Sequence, residues 1–195
     1  KKAQPKTKIK QLIVTNLKEP LPPFLRVLFT LLREKKGGFR IEGGLRDGDI
    51  WFQDLLAKYP NASKPDVGVG PDDTALFQYS GGTTGVSKGA VAMHRNVAAN
   101  TLQIRSFMPK LDEGNEVVLM AIPLFHVYGM VAGTNFAMST GSTMVMVPNP
   151  RDLKDVLDNL QKYRATIFPG VPALYNGINN FKAVKEGKYD LSSIK

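Results

Sequence analysis

The stretch Thr74–Ala90, TALFQYSGGTTGVSKGA, passes from an apolar segment into a loop with four glycines, several hydroxyls and one lysine. TALFQY is short, apolar and aromatic, as a buried strand requires. The glycine-rich continuation suits neither helix nor strand and reads as a connection. Outward from it the alternation repeats. HRNVAANTLQIRSF (94–107) reads as a helix, EVVLMAI (116–122) as a strand, GMVAGTNFAMS (129–139) as a helix of small residues and STMVMV (142–147) as a third strand. RDLKDVLDNLQKYR (151–164) places Leu153, Val156, Leu157 and Leu160 at i, i+3, i+4 and i+7, which is one apolar helix face. ATIFPG (165–170) follows as a fourth strand, and PALYNGINNF (172–181) opens another helix. Strands alternating with helices predict an α/β fold, a mostly parallel sheet with helices on its faces.

Before Asp72 the pattern is less regular. QLIVTNL (11–17) suits a short strand. In EPLPPFLRVLFTLLREKKGG (19–38), Pro22 and Pro23 fit a first helical turn, and Gly37 and Gly38 fit its end. Arg33, Lys35 and Lys36 crowd the last turn, where the helix dipole favours cations. Apolar residues from Phe24 to Leu32 cover nearly every side of this helix. The run is far short of the ~20 residues that span a bilayer. A buried helix and a helix lying in a membrane interface both fit it.

Composition narrows the chemistry. The 195 residues include no cysteine, which excludes disulfide and thiolate chemistry, and only His94 and His126, too few for a convincing metal cluster. The net charge of +9 sits in the first 40 residues, where eleven Lys/Arg face Glu19 and Glu34; the remainder is balanced. The body therefore has no bulk attraction for nucleic acid, and the basic arm lacks interleaved aromatics. The basic start leads into proline and polar residues, with no secretory signal pattern, so a cytoplasmic location is expected.

At the carboxyl ends of parallel strands, where ligands gather, two chemically rich stretches are expected: SGGTTGVSKG after TALFQY and PLFHVYG after EVVLMAI. Glycines let backbone N–H groups crowd phosphate oxygens, hydroxyls add donors and Lys88 adds a charge. The loop matches neither GxxxxGK[ST] nor GxGxxG. Spacing alone leaves a phosphate loop of unspecified type and a surface turn both open.

YSGGTTGVSKGA with the following HRN closely resembles the phosphate-binding signature of the adenylate-forming enzymes, the superfamily of acyl-CoA ligases, luciferases and peptide-synthetase adenylation domains. IPLFHVYGM (122–130) looks like the same superfamily's next motif. The doubled glycine after FQY, the lead-in PDDTALFQY and the later RATIFPGVPALYNGI are most similar to long-chain fatty acyl-CoA ligases. The resemblance implies part of the N-terminal domain of such an enzyme, with ATP, Mg2+ and coenzyme A as partners of a fatty acid. Ser80, Thr83, Thr84 and Lys88 would hold the ATP triphosphate, with Gly81, Gly82 and Gly85 letting the loop fold over it and Thr83 reaching the magnesium. Phe125, His126, Tyr128 and Gly129 would line the acyl site, with His126 orienting the acyl carboxylate and adenylate.

Two departures stand out. Ser87 replaces the usual proline before the loop lysine, and the chain stops at YDLSSIK, ahead of the family's further magnesium ligand, ribose-binding aspartate and mobile catalytic domain. A fragment, inactive alone, is expected. Its expected organisation is a basic arm with an apolar helix over 1–40, which either makes peripheral membrane contact through residues 22–36 at the inner face or packs inside the full-length enzyme, and a partial ATP- and acyl-binding α/β domain over 41–195. The alternatives are a ligase of the same superfamily for an aryl acid, a short-chain acid or an amino acid, and a non-catalytic nucleotide- or membrane-binding module.

Overall fold

A computed structural model describes residues 6–80 and 87–195, with the backbone alone at Ser80. The chain divides into two compact units, Lys1–Val67 and Gly68–Lys195.

In the first unit, β1 (Ile13–Val14) pairs in parallel with β2 (Ile50–Trp51). Helix α1 (Pro23–Phe29) starts at a proline, whose missing N–H costs nothing at that position, and continues as a wider π-helical segment, Thr30–Glu34. Helix α2 spans Phe52–Lys58. Among the described residues of this unit only Asn16 and Glu34 are buried, and both are polar. Glu34 accepts from Asn16 Nδ2 at 2.9 Å and pairs with Lys18 Nζ at 2.8 Å, while Phe29 packs against Phe39 with centroids 5.9 Å apart.

The second unit opens with a β-hairpin. Strand β3 (Thr74–Ser80) runs antiparallel to β4 (Lys88–Met93), and α3 (His94–Ser106) follows at once. The sequence pattern led from the glycine loop directly into the helix and made TALFQY a buried strand of the parallel sheet; β4 lies between loop and helix, and β3 pairs antiparallel with it, its Phe77 and Tyr79 exposed. Asn96 caps α3 by accepting from Met93 N–H at 2.9 Å.

A parallel pair forms the centre of the unit. Strand β5 (Val117–Met120) is in register with β6 (Thr143–Met146), Val117 opposite Thr143 through Met120 opposite Met146. ATIFPG lies along the other side of β5, where its ladder shrinks to one parallel bridge at Ile167, with Leu119 N–H donating to Ile167 O at 2.9 Å and Val117 N–H to Thr166 Oγ1 at 3.0 Å. Pro169, which has no N–H, ends the pairing. Successive side chains of β5 point to opposite faces, and each face has its own core. On one, Leu119 packs with Val156, Leu157 and Leu160 of α5 (Leu153–Lys162) and with Leu174 and Ile178 of α6 (Pro172–Asn180). On the other, Val118 and Met120 pack with Phe136 and Ala137. These last two belong to α4 (Phe136–Ser139), the tail of the predicted helix 129–139, whose first part, Gly129–Asn135, is π-helical. A last short helix, α7, covers Lys182–Lys185. Helices thus cover both faces of a small parallel sheet, the α/β layering expected.

Candidate active site

The hairpin frames the glycine loop. Ser80 and Lys88 are register partners across β3 and β4, so the segment between them starts and ends on neighbouring backbone positions. Lys88 is exposed. Gly89, opposite Tyr79, has a structural reason of its own, because a Cβ there would meet the Tyr79 ring at 3.1 Å. Gly81, Gly82, Thr83, Thr84 and Gly85, expected to cradle phosphate, lie outside the described residues, as does the Thr83 hydroxyl expected on magnesium. Among the described residues no group of three His, Asp or Glu side chains is arranged to hold a metal ion. Arg95, at the start of α3, is engaged by Asp72 at 2.6 Å, an exposed ion pair.

The second motif follows β5 and turns into the π-helical segment. Pro123 O accepts from His126 N–H at 3.1 Å, and His126 O accepts from Met130 N–H at 2.9 Å. His126 is exposed and so is no packed core histidine; its Nδ1 accepts from Tyr128 N–H at 3.4 Å. Phe125 is 88% exposed, whereas Gly129 is buried. A Cβ on Gly129 would lie 2.3 Å from the Pro123 carbonyl oxygen, so only glycine lets the turn close on itself.

Next to this motif opens a cavity of about 1130 Å³, lined by Val127, Tyr128 and Val131, by Ile104 and Met108 of α3, and by Phe168 beyond the bridge, among others. Tyr128 Oη donates to Gly170 O at 3.3 Å, and Tyr175 Oη donates to Phe168 O at 2.7 Å with its ring edge-on to Phe168. Burial, reinforced by the neighbouring Tyr128, pushes the Tyr175 hydroxyl above its ordinary pKa, so it stays a neutral donor. Sequence reasoning did not find this wall. Its residues run from Asn100 to Lys195, and their only local signal was the apolar run ATIF followed by PALY.

At the cavity's edge Glu116, 1% exposed, accepts from Asp112 N–H at 2.8 Å and from the Thr166 hydroxyl, and pairs with Lys195 Nζ at 2.6 Å. Burial raises its pKa, but these donors outweigh burial and hold the carboxyl below the usual range.

The described residues thus set an aromatic–His turn beside an apolar cavity in a unit built on a small parallel α/β sheet. The AMP-binding enzyme family matches residues 18–195, and the chain belongs to that family. It is 32% identical over 188 residues to a long-chain-fatty-acid–CoA ligase of Bacillus subtilis, an alignment covering 96% of this chain and 33% of the relative. The chain thus spans about a third of that relative's length. Among solved structures, the inhibitor-bound N-terminal domain of FACL13 from Mycobacterium tuberculosis aligns with TM-score 0.63 and 25% identity, covering 75% of this chain and 36% of that one. The ATP-bound crystal structure of MatB from Rhodopseudomonas palustris aligns with TM-score 0.57 and 28% identity, over 69% and 27%.

Proposed function

We propose that this chain is the central portion of a long-chain fatty acyl-CoA ligase and does not complete the reaction alone. A carboxylate oxygen of the fatty acid attacks the α-phosphorus of ATP, the bond to the bridging oxygen of pyrophosphate breaks, and an acyl-adenylate forms. The thiol of coenzyme A then adds to the acyl carbon, losing its proton, and AMP leaves. Ser80, Thr83, Thr84 and Lys88 are assigned to the triphosphate, with Gly81, Gly82 and Gly85 giving the backbone its close approach. Thr83 is assigned as the residue whose hydroxyl would hold magnesium, which would neutralise charge on the triphosphate. Such chemistry depends on positioning and on neutralising charge, which a donor-rich loop supplies. Phe125, His126, Tyr128 and Gly129 are assigned to the acyl end, His126 as the group that orients the carboxylate.

The observation that carries the substrate class is the apolar cavity onto which Val127 and Tyr128 of the second motif open. A long alkyl chain can lie along walls of isoleucine, methionine, valine and phenylalanine over much of their length, whereas a short or aryl acid would touch only part of them. Pyrophosphate release from ATP is the test, measured with palmitate, a short acid and an aryl acid. The 195-residue chain is assayed beside a longer protein that contains it. The longer protein should prefer palmitate, and the chain alone should show no turnover. Preference for the aryl acid would overturn the substrate class. Robust turnover by the chain alone would mean that Lys88 or His126 carries more of the chemistry than holding and orienting.

A further inference from the structure

Two tyrosines from different elements close on one turn. Tyr175, near the start of α6, donates its hydroxyl to Phe168 O at 2.7 Å, and Tyr128 of the second motif donates to Gly170 O at 3.3 Å. Between these carbonyls sits Pro169, which has no N–H and cannot continue the pairing begun at Ile167, so side chains hold the turn where a ladder does not. The Tyr175 ring stands edge-on to Phe168, with centroids 5.6 Å apart and planes at 86°. It also lies against Gly170, where an added Cβ would come within 2.9 Å of the ring. Gly170 does not have a positive φ, so the tyrosine ring, and not the backbone, is what excludes a side chain there. The contacts continue to the histidine. Tyr128 N–H donates to His126 Nδ1 at 3.4 Å, so the residue whose hydroxyl grips the turn also holds the imidazole through its backbone.

From this arrangement we propose that Tyr175 is a positioning residue for His126: it fixes the Phe168–Gly170 turn, the turn fixes Tyr128, and Tyr128 fixes the orientation of the imidazole. A packing role alone would be filled by phenylalanine, which keeps the ring and its edge-on contact. The positioning role needs the hydroxyl, because the hydroxyl is what ties α6 to the turn. Its bearing on a fatty acid rests on the ligase proposed above; the hold on His126 does not.

The chain has only two histidines, so its imidazole proton resonances, assigned with His94→Gln, report His126 without reference to activity. In the 195-residue chain Tyr175→Phe should move the His126 resonances and leave those of His94, at the start of α3, in place. Gly170→Ala keeps the hydroxyl but displaces the ring, and should move them too; if its far-UV circular dichroism shows a lost fold, Tyr175→Phe decides. Unmoved His126 resonances in the folded variants would overturn the proposal. So would equal movement of both histidines, which would show a general loosening of the unit. In the longer protein of the pyrophosphate assay, Tyr175→Phe should raise the KM for palmitate roughly two- to tenfold, the size of one lost neutral hydrogen bond, and leave the KM for ATP unchanged. Tyr128→Phe should do likewise, and the double variant should do little more than either, because both act through one turn. Additive effects, or an equal rise in both KM values, would overturn the coupling to the acyl end. A longer protein that turns over no acid would remove the ligase reading instead, and the histidine resonances would still decide the role of Tyr175.

Discussion

Gly129 shows how one residue ties sequence to site geometry. Its missing side chain lets the Pro123 carbonyl approach, and that approach closes the turn carrying Phe125, His126 and Tyr128. Gly129→Ala should destabilise the second unit by about 1–3 kcal/mol, because the obstacle is the Pro123 backbone carbonyl, which cannot rotate away. Chemical denaturation of the variant checks this; an unchanged midpoint would mean that the turn opens without cost. Glu116 gives a pH-dependent counterpart. Its folded pKa is held below the ordinary value, so it contributes stability above about 4.5 and loses it as pH falls through the lower folded value. Glu116→Gln should cost about 2 kcal/mol near neutrality, since a buried charged acceptor is replaced by a weaker one. Its thermal midpoint should then vary less with acid than that of the wild type below pH ~4.5. Parallel acid profiles for the two proteins would remove Glu116 as the titrating group.

Legibility differed from element to element for physical reasons. Helix α5 was plain because its apolar residues keep strict helical spacing and are buried as a set. The start of α3 at His94 was equally plain. Strand β4 was missed because Lys88–Val91 are all exposed, so KGAVAM carries no alternation; pairing with β3 makes it a strand. ATIFPG looked like a full strand and contributes one bridge, because Pro169 cannot donate to a ladder. The π-helical widening of Gly129–Asn135 left no mark in a run of small residues. At the site, the two motifs are legible as short contiguous stretches, but the glycine loop leaves a strand of an antiparallel hairpin and not, as expected, the carboxyl end of a parallel strand. The exposure of His126 and the cavity beside it were not legible, because they arise from residues up to 95 positions apart, Asn100 to Lys195.

At the scale of the molecule, every buried hydrophobic residue among those described belongs to the second unit, from Val118 to Ile178. A chain limited to residues 68–195 should therefore unfold in one cooperative transition, because both faces of its sheet are filled by its own helices. Calorimetry of that shortened chain is the check, and a broad, non-cooperative trace would show that its core is insufficient. The hairpin has one more consequence. Ser80 and Lys88 face each other across an antiparallel ladder, whose opposed Cα atoms sit ~4.5–5.5 Å apart whatever is strung between them. Lengthening a loop between such fixed ends costs only ~0.6 kcal/mol per doubling. The hairpin therefore tolerates changes in the number of residues from 81 to 87, so the stretch proposed to meet phosphate can be altered in length at little cost to the scaffold that presents it.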